Sequence, residues 1–205
     1  MKSNAILSAA AAILAASAFL PVHAGDYRSE ALAMMKRDFH PRGIAGIDRL
    51  DQDAVQAICN RTSDKPPEAL AKILQRDQMD AIRWPSDGKY LGNSAAGEKI
   101  AQRGKGMTWK DKAGAPGGGG CYNCHQIGPK ETSFGTLGPS LYQFGKIRGY
   151  GIENQKYVWG KIWNSKATNL CSNMPRFGHS GSLTEAQIRD LTALLLDPKS
   201  PVNSQ

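Results

Sequence analysis

The chain has 205 residues, with 26 Lys and Arg against 18 Asp and Glu, for a formal charge of +8. Hydrophobic residues make up 40 % and aromatics only 7 %, which excludes several independent cores and leaves room for a large prosthetic group to help fill one. The basic balance favours an acidic partner surface or an anionic substrate. Scattered Lys and Arg, with no aromatic interleaving and no base-reading motif, argue against nucleic acid.

The first predicted element is a targeting segment. Lys2 precedes the apolar run "AILSAAAAILAASAFL", and Val22 to Ala24 fits a small-residue cleavage site. The run is short for a bilayer span of roughly 20 residues. Cleavage after Ala24 and export to the periplasm follow, with no stable membrane insertion, because no later segment is apolar enough. Residues 25–92 then read as a helical N-terminal extension carrying "SEALAMMKRDF", "DQDAVQAIC" and "PPEALAKILQRDQMDAIRW", with Pro67 acceptable in a first turn. Too few apolar residues stand here for a separate core. The extension is expected to wrap on the rest of the chain or on a partner, with disorder as the alternative for its first twenty residues.

Residues 93–205 form the second region. "SAAGEKIAQRG", Ser94 to Gly104, predicts a short helix with Glu98, Lys99 and Gln102 outward. A polar insertion, 105–120, ends in four glycines. They read as a solvent loop, with close backbone approach to a bound group as the alternative. Next comes "CYNCH", where Cys121, Cys124 and His125 form C-x-x-C-H. A short helical turn brings i and i+3 together, so two thiols can reach two vinyl groups on one porphyrin edge. His125 can then turn its imidazole under the iron as an axial ligand. Zinc is disfavoured because adjacent Cys124 and His125 strain a tetrahedral chelate. A thioredoxin-like dithiol is disfavoured because it wants a preceding strand and a following helix. The expected cofactor is one covalently bound haem c.

For the second axial position, Met174 in "CSNMPRFG" is preferred, since Pro175 stiffens the loop that would hold a thioether against iron. Met107 and His179 are the outside candidates. Between the two ligands, "GTLGPSLYQFGKIRG" places the Pro139 carbonyl where His125 can find an acceptor. Leu141, Tyr142 and Phe144 are candidate pocket contacts, or ordinary core. Trp163 would pack on the ring or hydrogen-bond a propionate; Arg148 and Arg176 would hold propionates or meet a partner. In an exported protein Cys59 and Cys171 are expected to form a disulfide, with a bond to a partner cysteine as the alternative. A final helix is signalled by Thr184 and Gln187 as a capping box, by Ile188, Leu191 and Leu195, and by Pro198 as its stop.

With "CYNCHQIG", "GTLGPSLYQFGKIRG" and "NMPRFGHSGSLTEAQIRDLTALLLDP" together, the chain resembles the class I c-type cytochromes, and more narrowly the SoxX subunits of the SoxAX sulfur-oxidation cytochromes. The resemblance implies a mostly α fold: a class I cytochrome c-like haem domain with a helical N-terminal extension. It also implies thioethers at Cys121 and Cys124, axial ligands at His125 and Met174, and a SoxA-like partner subunit in a heterodimer. The implied role is electron relay while thiosulfate is oxidatively coupled to a cysteine of a carrier protein, with a cytochrome as acceptor. A free-standing soluble c-type cytochrome is the alternative.

Overall fold

The computed structural model describes residues 27–204. The expected signal peptide, 1–24, lies outside them. The chain divides into two compact units, Met1–His40 and Pro41–Gln205. In the first, helix α1 (Tyr27–Asp38) buries no residue. Glu30 stands in its first turn and Lys36 and Arg37 in its last, complementing the helix dipole.

The second unit carries the other helices. Asp53 caps α2 (Ala54–Arg61) through a reciprocal capping box with Gln56, which satisfies two amides that the first turn would leave open. Pro67 stands at the N-cap of α3 (Glu68–Asp80). The Asn93 side chain accepts from the Ala96 amide at 2.9 Å to start α4 (Ser94–Gln102). A single 3₁₀ turn covers Cys121–Asn123. Then follow α5 (Phe144–Arg148), α6 (Ile152–Trp163), a 3₁₀ turn at Ser165–Ala167 and α7 (Glu185–Leu196). The fold is all-helical. Among the described residues no β-strand occurs, only an isolated bridge between Arg42 and Ala45. No described helix is long and apolar enough to cross a membrane.

Helix α7 lies at the centre of the second unit. Its capping box at Thr184 and Gln187 forms as the sequence predicts. Seven of its twelve residues are buried, including Ile188, Leu191 and Leu195, so the helix is covered on more than one face. Helix α4 crosses it at Gly97. A Cβ there would collide with the Asp190 carbonyl and reach the Leu194 side chain at 3.0 Å, so the crossing needs glycine. Tyr90, Trp159 and Trp163 extend the same core. The Tyr90 and Trp159 rings meet edge to face at 5.8 Å, and Trp159 stacks on Trp163 at 5.8 Å. The C-terminal segment closes the unit. Buried Asn203 accepts from the Gly145 amide at 3.0 Å and donates to the Leu195 and Asp197 carbonyls, tying α5 to the end of α7.

Residues 41–92 belong to this same compact unit. A second, small apolar cluster of Val55, Cys59 and Leu170, with Ala71, Leu74 and Cys171 against it, joins α2 and α3 to the loop after the Ser165–Ala167 turn. The Trp159 indole donates to the Arg83 carbonyl at 3.0 Å.

Candidate functional site

The C-x-x-C-H run is folded as a tight turn. The Cys124 and His125 amides both donate to the Cys121 carbonyl, at 3.1 and 2.9 Å. Behind it, the glycine run is not a free loop. The Gly119 amide donates to the Ile100 carbonyl at 2.9 Å and the Gly120 amide to the Arg103 carbonyl at 3.0 Å. The Gln187 side chain donates to the Gly117 carbonyl at 2.7 Å. The insertion therefore leaves α4 at its C-terminus, returns to it, and sets the Cys121 turn down beside α4, with Gly117 held by Gln187 of α7. A hydroxyl beneath completes the support: Tyr122 donates to Glu98 Oε1 at 2.8 Å and accepts from the Gly128 amide at 2.9 Å. Glu98 is thus half-buried and engaged rather than turned outward as its helix pattern suggested. Burial, with Glu98 as a further cause, raises the Tyr122 hydroxyl pKa well above its ordinary value.

Cys121 and Cys124 are free thiols, whereas Cys59 and Cys171, 112 residues apart, are joined in a disulfide. Burial pushes the Cys121 thiol up to about 12, the reverse of what a reactive dithiol requires. His125 Nδ1 lies 2.7 Å from the Pro139 carbonyl oxygen. A carbonyl only accepts, so Nδ1 carries the proton and Nε2 keeps its lone pair for a ligand. Gly138 makes this position available, because a Cβ there would collide with the imidazole. The Gly138 amide donates to the Cys124 carbonyl at 2.9 Å and the Leu141 amide to the Gln126 carbonyl at 2.8 Å, fixing the 135–141 segment beside the turn.

Cys121, Leu141, Phe144 and Met174 are all half-buried apolar side chains packed against one core. Tyr142 is half-buried, its hydroxyl accepting from Gln143 at 3.4 Å. Trp163 lies inside the core, its ring in close contact with Gly178 and stacked on Trp159. Arg148 is exposed. Arg176 is directed elsewhere: its guanidinium pairs with Asp53 and donates to Gln78 Oε1 at 3.4 Å. Both outside candidates for the second ligand, Met107 and His179, are exposed. Residues that carry no sequence signature support the Met174 loop. Ser165 Oγ donates to the Met174 carbonyl at 2.6 Å, and the Met174 amide donates to Ser172 Oγ at 3.2 Å. The ammonium of Lys166, a buried residue, donates to the Leu170 and Ser172 carbonyls, each at 3.2 Å.

Among the described residues, one group of three ligand-type side chains lies close together: Cys59, Asp64 and Cys171. Two of the three sulfur and oxygen donors are spent, because the sulfurs are bonded to each other. A thiolate is the metal-binding form of cysteine, so this group is a disulfide beside a carboxylate and not a metal site while the bond stands.

No family model matches the chain. It is 36 % identical over 158 residues, 74 % of its own length and 73 % of the other's, to an uncharacterized lipoprotein of Aquifex aeolicus strain VF5. The chain belongs to that lipoprotein's family. This corrects the resemblance drawn above. The relative's name is not SoxX, and it assigns no haem, partner subunit or sulfur chemistry. The SoxX identification is withdrawn, and with it the SoxA-like heterodimer, the carrier protein and the thiosulfate-coupling role that it alone supplied. The expected haem c loses its family warrant in the same way. What remains for it is local: C-Y-N-C-H does occupy positions 121 to 125, with the geometry just described.

Proposed function

We propose that Cys121, Cys124, His125 and Met174 are the attachment and ligand residues for a covalently held haem, in an exported electron-transfer protein. The observation that carries this reading is the state of the turn. Two cysteines three residues apart stay free in a chain whose other two are oxidised, and the neighbouring histidine has its Nδ1 proton committed to Pro139. The residues present fit the group. Cys121, Leu141, Phe144 and Met174, each half-buried against the same core, offer apolar surface and soft sulfur donors, and Gly138 gives the imidazole its place.

When bound, the haem iron supplies a one-electron couple. The chain's own residues do the rest. Cys121 and Cys124 hold the group at fixed orientation. The Pro139 carbonyl fixes the His125 ring and makes Nε2 a better donor. Met174, if it ligates the iron together with His125, would favour reduced iron more than a second histidine would. Were His125 and Met174 both to ligate the iron, the chemistry left would be outer-sphere electron transfer, and the net positive charge suits a redox partner with an acidic face. The export reading rests on the Lys2 to Ala24 pattern. Lipid attachment, stated in the relative's name, is not transferred: the first cysteine in this sequence is Cys59, and its sulfur is in a disulfide.

The test is intact mass of the protein purified from a host that matures c-type cytochromes, after denaturation. One covalent haem on each chain, absent from a Cys121→Ser/Cys124→Ser variant, is the expected result. A colourless chain of polypeptide mass alone overturns the reading.

A further inference from the structure

The Met174 loop is held from both sides by the segment that precedes the core helices in sequence. On one side, Cys171, three residues before Met174, is bonded to Cys59 of α2. On the other, Arg176, two residues after it, pairs with Asp53, the cap of α2, and donates to Gln78 of α3. The same Gln78 accepts from the buried Asn164 side chain, through its backbone carbonyl at 3.0 Å and Oε1 at 3.1 Å. Gln75, one turn earlier, donates to the Ala167 carbonyl at 3.1 Å. Asn164 precedes and Ala167 ends the turn from which Ser165 and Lys166 hold the Met174 loop from inside. The loop thus has an inner support from the core and an outer one from α2 and α3.

We propose that residues 53–78 form a two-point clasp on this loop, with the Cys59–Cys171 disulfide and the Asp53–Arg176–Gln78 cluster as its holds, and that Asp53, Gln78 and Arg176 are positioning residues for the Met174 thioether. The chemistry explains why both are needed. A disulfide fixes one point of the chain but leaves rotation about it. A guanidinium shared between a carboxylate and an amide oxygen fixes a second point with directional bonds. Met is unbranched and flexible, so a thioether keeps one position only if its backbone is held on each side. Arg176 is then an inward tie and not a surface charge for a partner. The role of Met174 as a ligand rests on the proposed function; the clasp rests on the disulfide and hydrogen bonds alone.

The test compares the full-length mature protein with Asp53→Asn, Gln78→Ala and Cys59→Ser/Cys171→Ser variants. The first two variants are mild enough to keep the test decisive if the double variant fails to fold. Two quantities are read beside far-ultraviolet dichroism: the rate of Met174 oxidation by dilute peroxide, from peptide mass, and the sulfur-to-iron charge-transfer band of the ferric protein. The expected result is Met174 oxidation several-fold faster and a weakened band, with helix content unchanged. Unchanged oxidation and an intact band in all variants overturn the clasp. If the parent chain carries no haem, the haem reading fails by itself; faster Met174 oxidation in the variants still supports the clasp, and an unchanged rate overturns it.

Discussion

Two residues show how local chemistry sets the site. Tyr122 sits between the two cysteines in sequence, and its hydroxyl bridges Glu98 and the buried Gly128 amide. Tyr122→Phe leaves that amide without its partner. It should lower unfolding free energy by about 1–3 kcal/mol, as read by urea titration, because an orphaned buried donor costs its full desolvation. Met174 is tested differently. If Met174 is the proposed second ligand, Met174→Ala should leave covalent attachment intact and lower the reduction potential, because a thioether ligand favours reduced iron. An unchanged potential in voltammetry removes Met174 from the ligand set. Cysteine and histidine spacing made the C-x-x-C-H turn legible from sequence. The acceptor that sets the His125 tautomer, the Pro139 carbonyl fourteen residues away, was also anticipated from the segment that carries it, and the structure brings the two to 2.7 Å.

At the level of elements, the two capping boxes and the α4–α7 crossing organise the molecule. Thr184→Ala removes the acceptor for the Gln187 amide and should destabilise by about 1 kcal/mol in thermal unfolding. Gly97→Leu forces a side chain into the Asp190 backbone at the crossing, and should cost about 1–3 kcal/mol or more by overpacking. The last helix was readable because its cap and its apolar stripe lie within twelve residues of one another. The glycine run was misread as a solvent loop. Glycine marks permissive backbone, but which backbone it will meet, here the carbonyls of Ile100 and Arg103, is set by the return path of the insertion.

For the whole molecule, long-range ties join segments distant in sequence. The Cys59–Cys171 bond closes a loop with a sequence separation of 112 residues. Reducing it, or replacing both cysteines by serine, should lower stability by about 2–5 kcal/mol in denaturant titration, mostly by freeing the unfolded chain. A second tie is ionic. Asp87, just before the segment leading into α4, accepts from Arg189 of α7 at 3.0 and 2.9 Å. Arg189, then the Lys89 amide, hold the Asp87 carboxyl down to about 2 from an ordinary 3.8. A depressed carboxyl stabilises the fold above its unfolded value, and that contribution is lost as pH falls through the folded one. The acid limb of stability between about pH 4 and 2 should therefore be shallower in Asp87→Asn; an identical limb would remove Asp87 from acid unfolding.

The sequence by itself determined the chemistry that neighbours along the chain can express: a mostly helical chain, a helix from Ser94, a last helix capped at Thr184, and a thiol–thiol–imidazole turn at Cys121, Cys124 and His125. These are legible because a capping box, helical periodicity and motif spacing act over a few residues. Tertiary structure alone decided that Arg176 turns to Asp53 and Gln78, that Trp163 stacks within the core, and that Lys166 is buried beneath the Met174 loop. A guanidinium, an indole or an ammonium carries no record of its partner in the residues beside it. Each is placed by the crossing of helices whose contacts span many tens of residues, so its role appears only once those helices are packed.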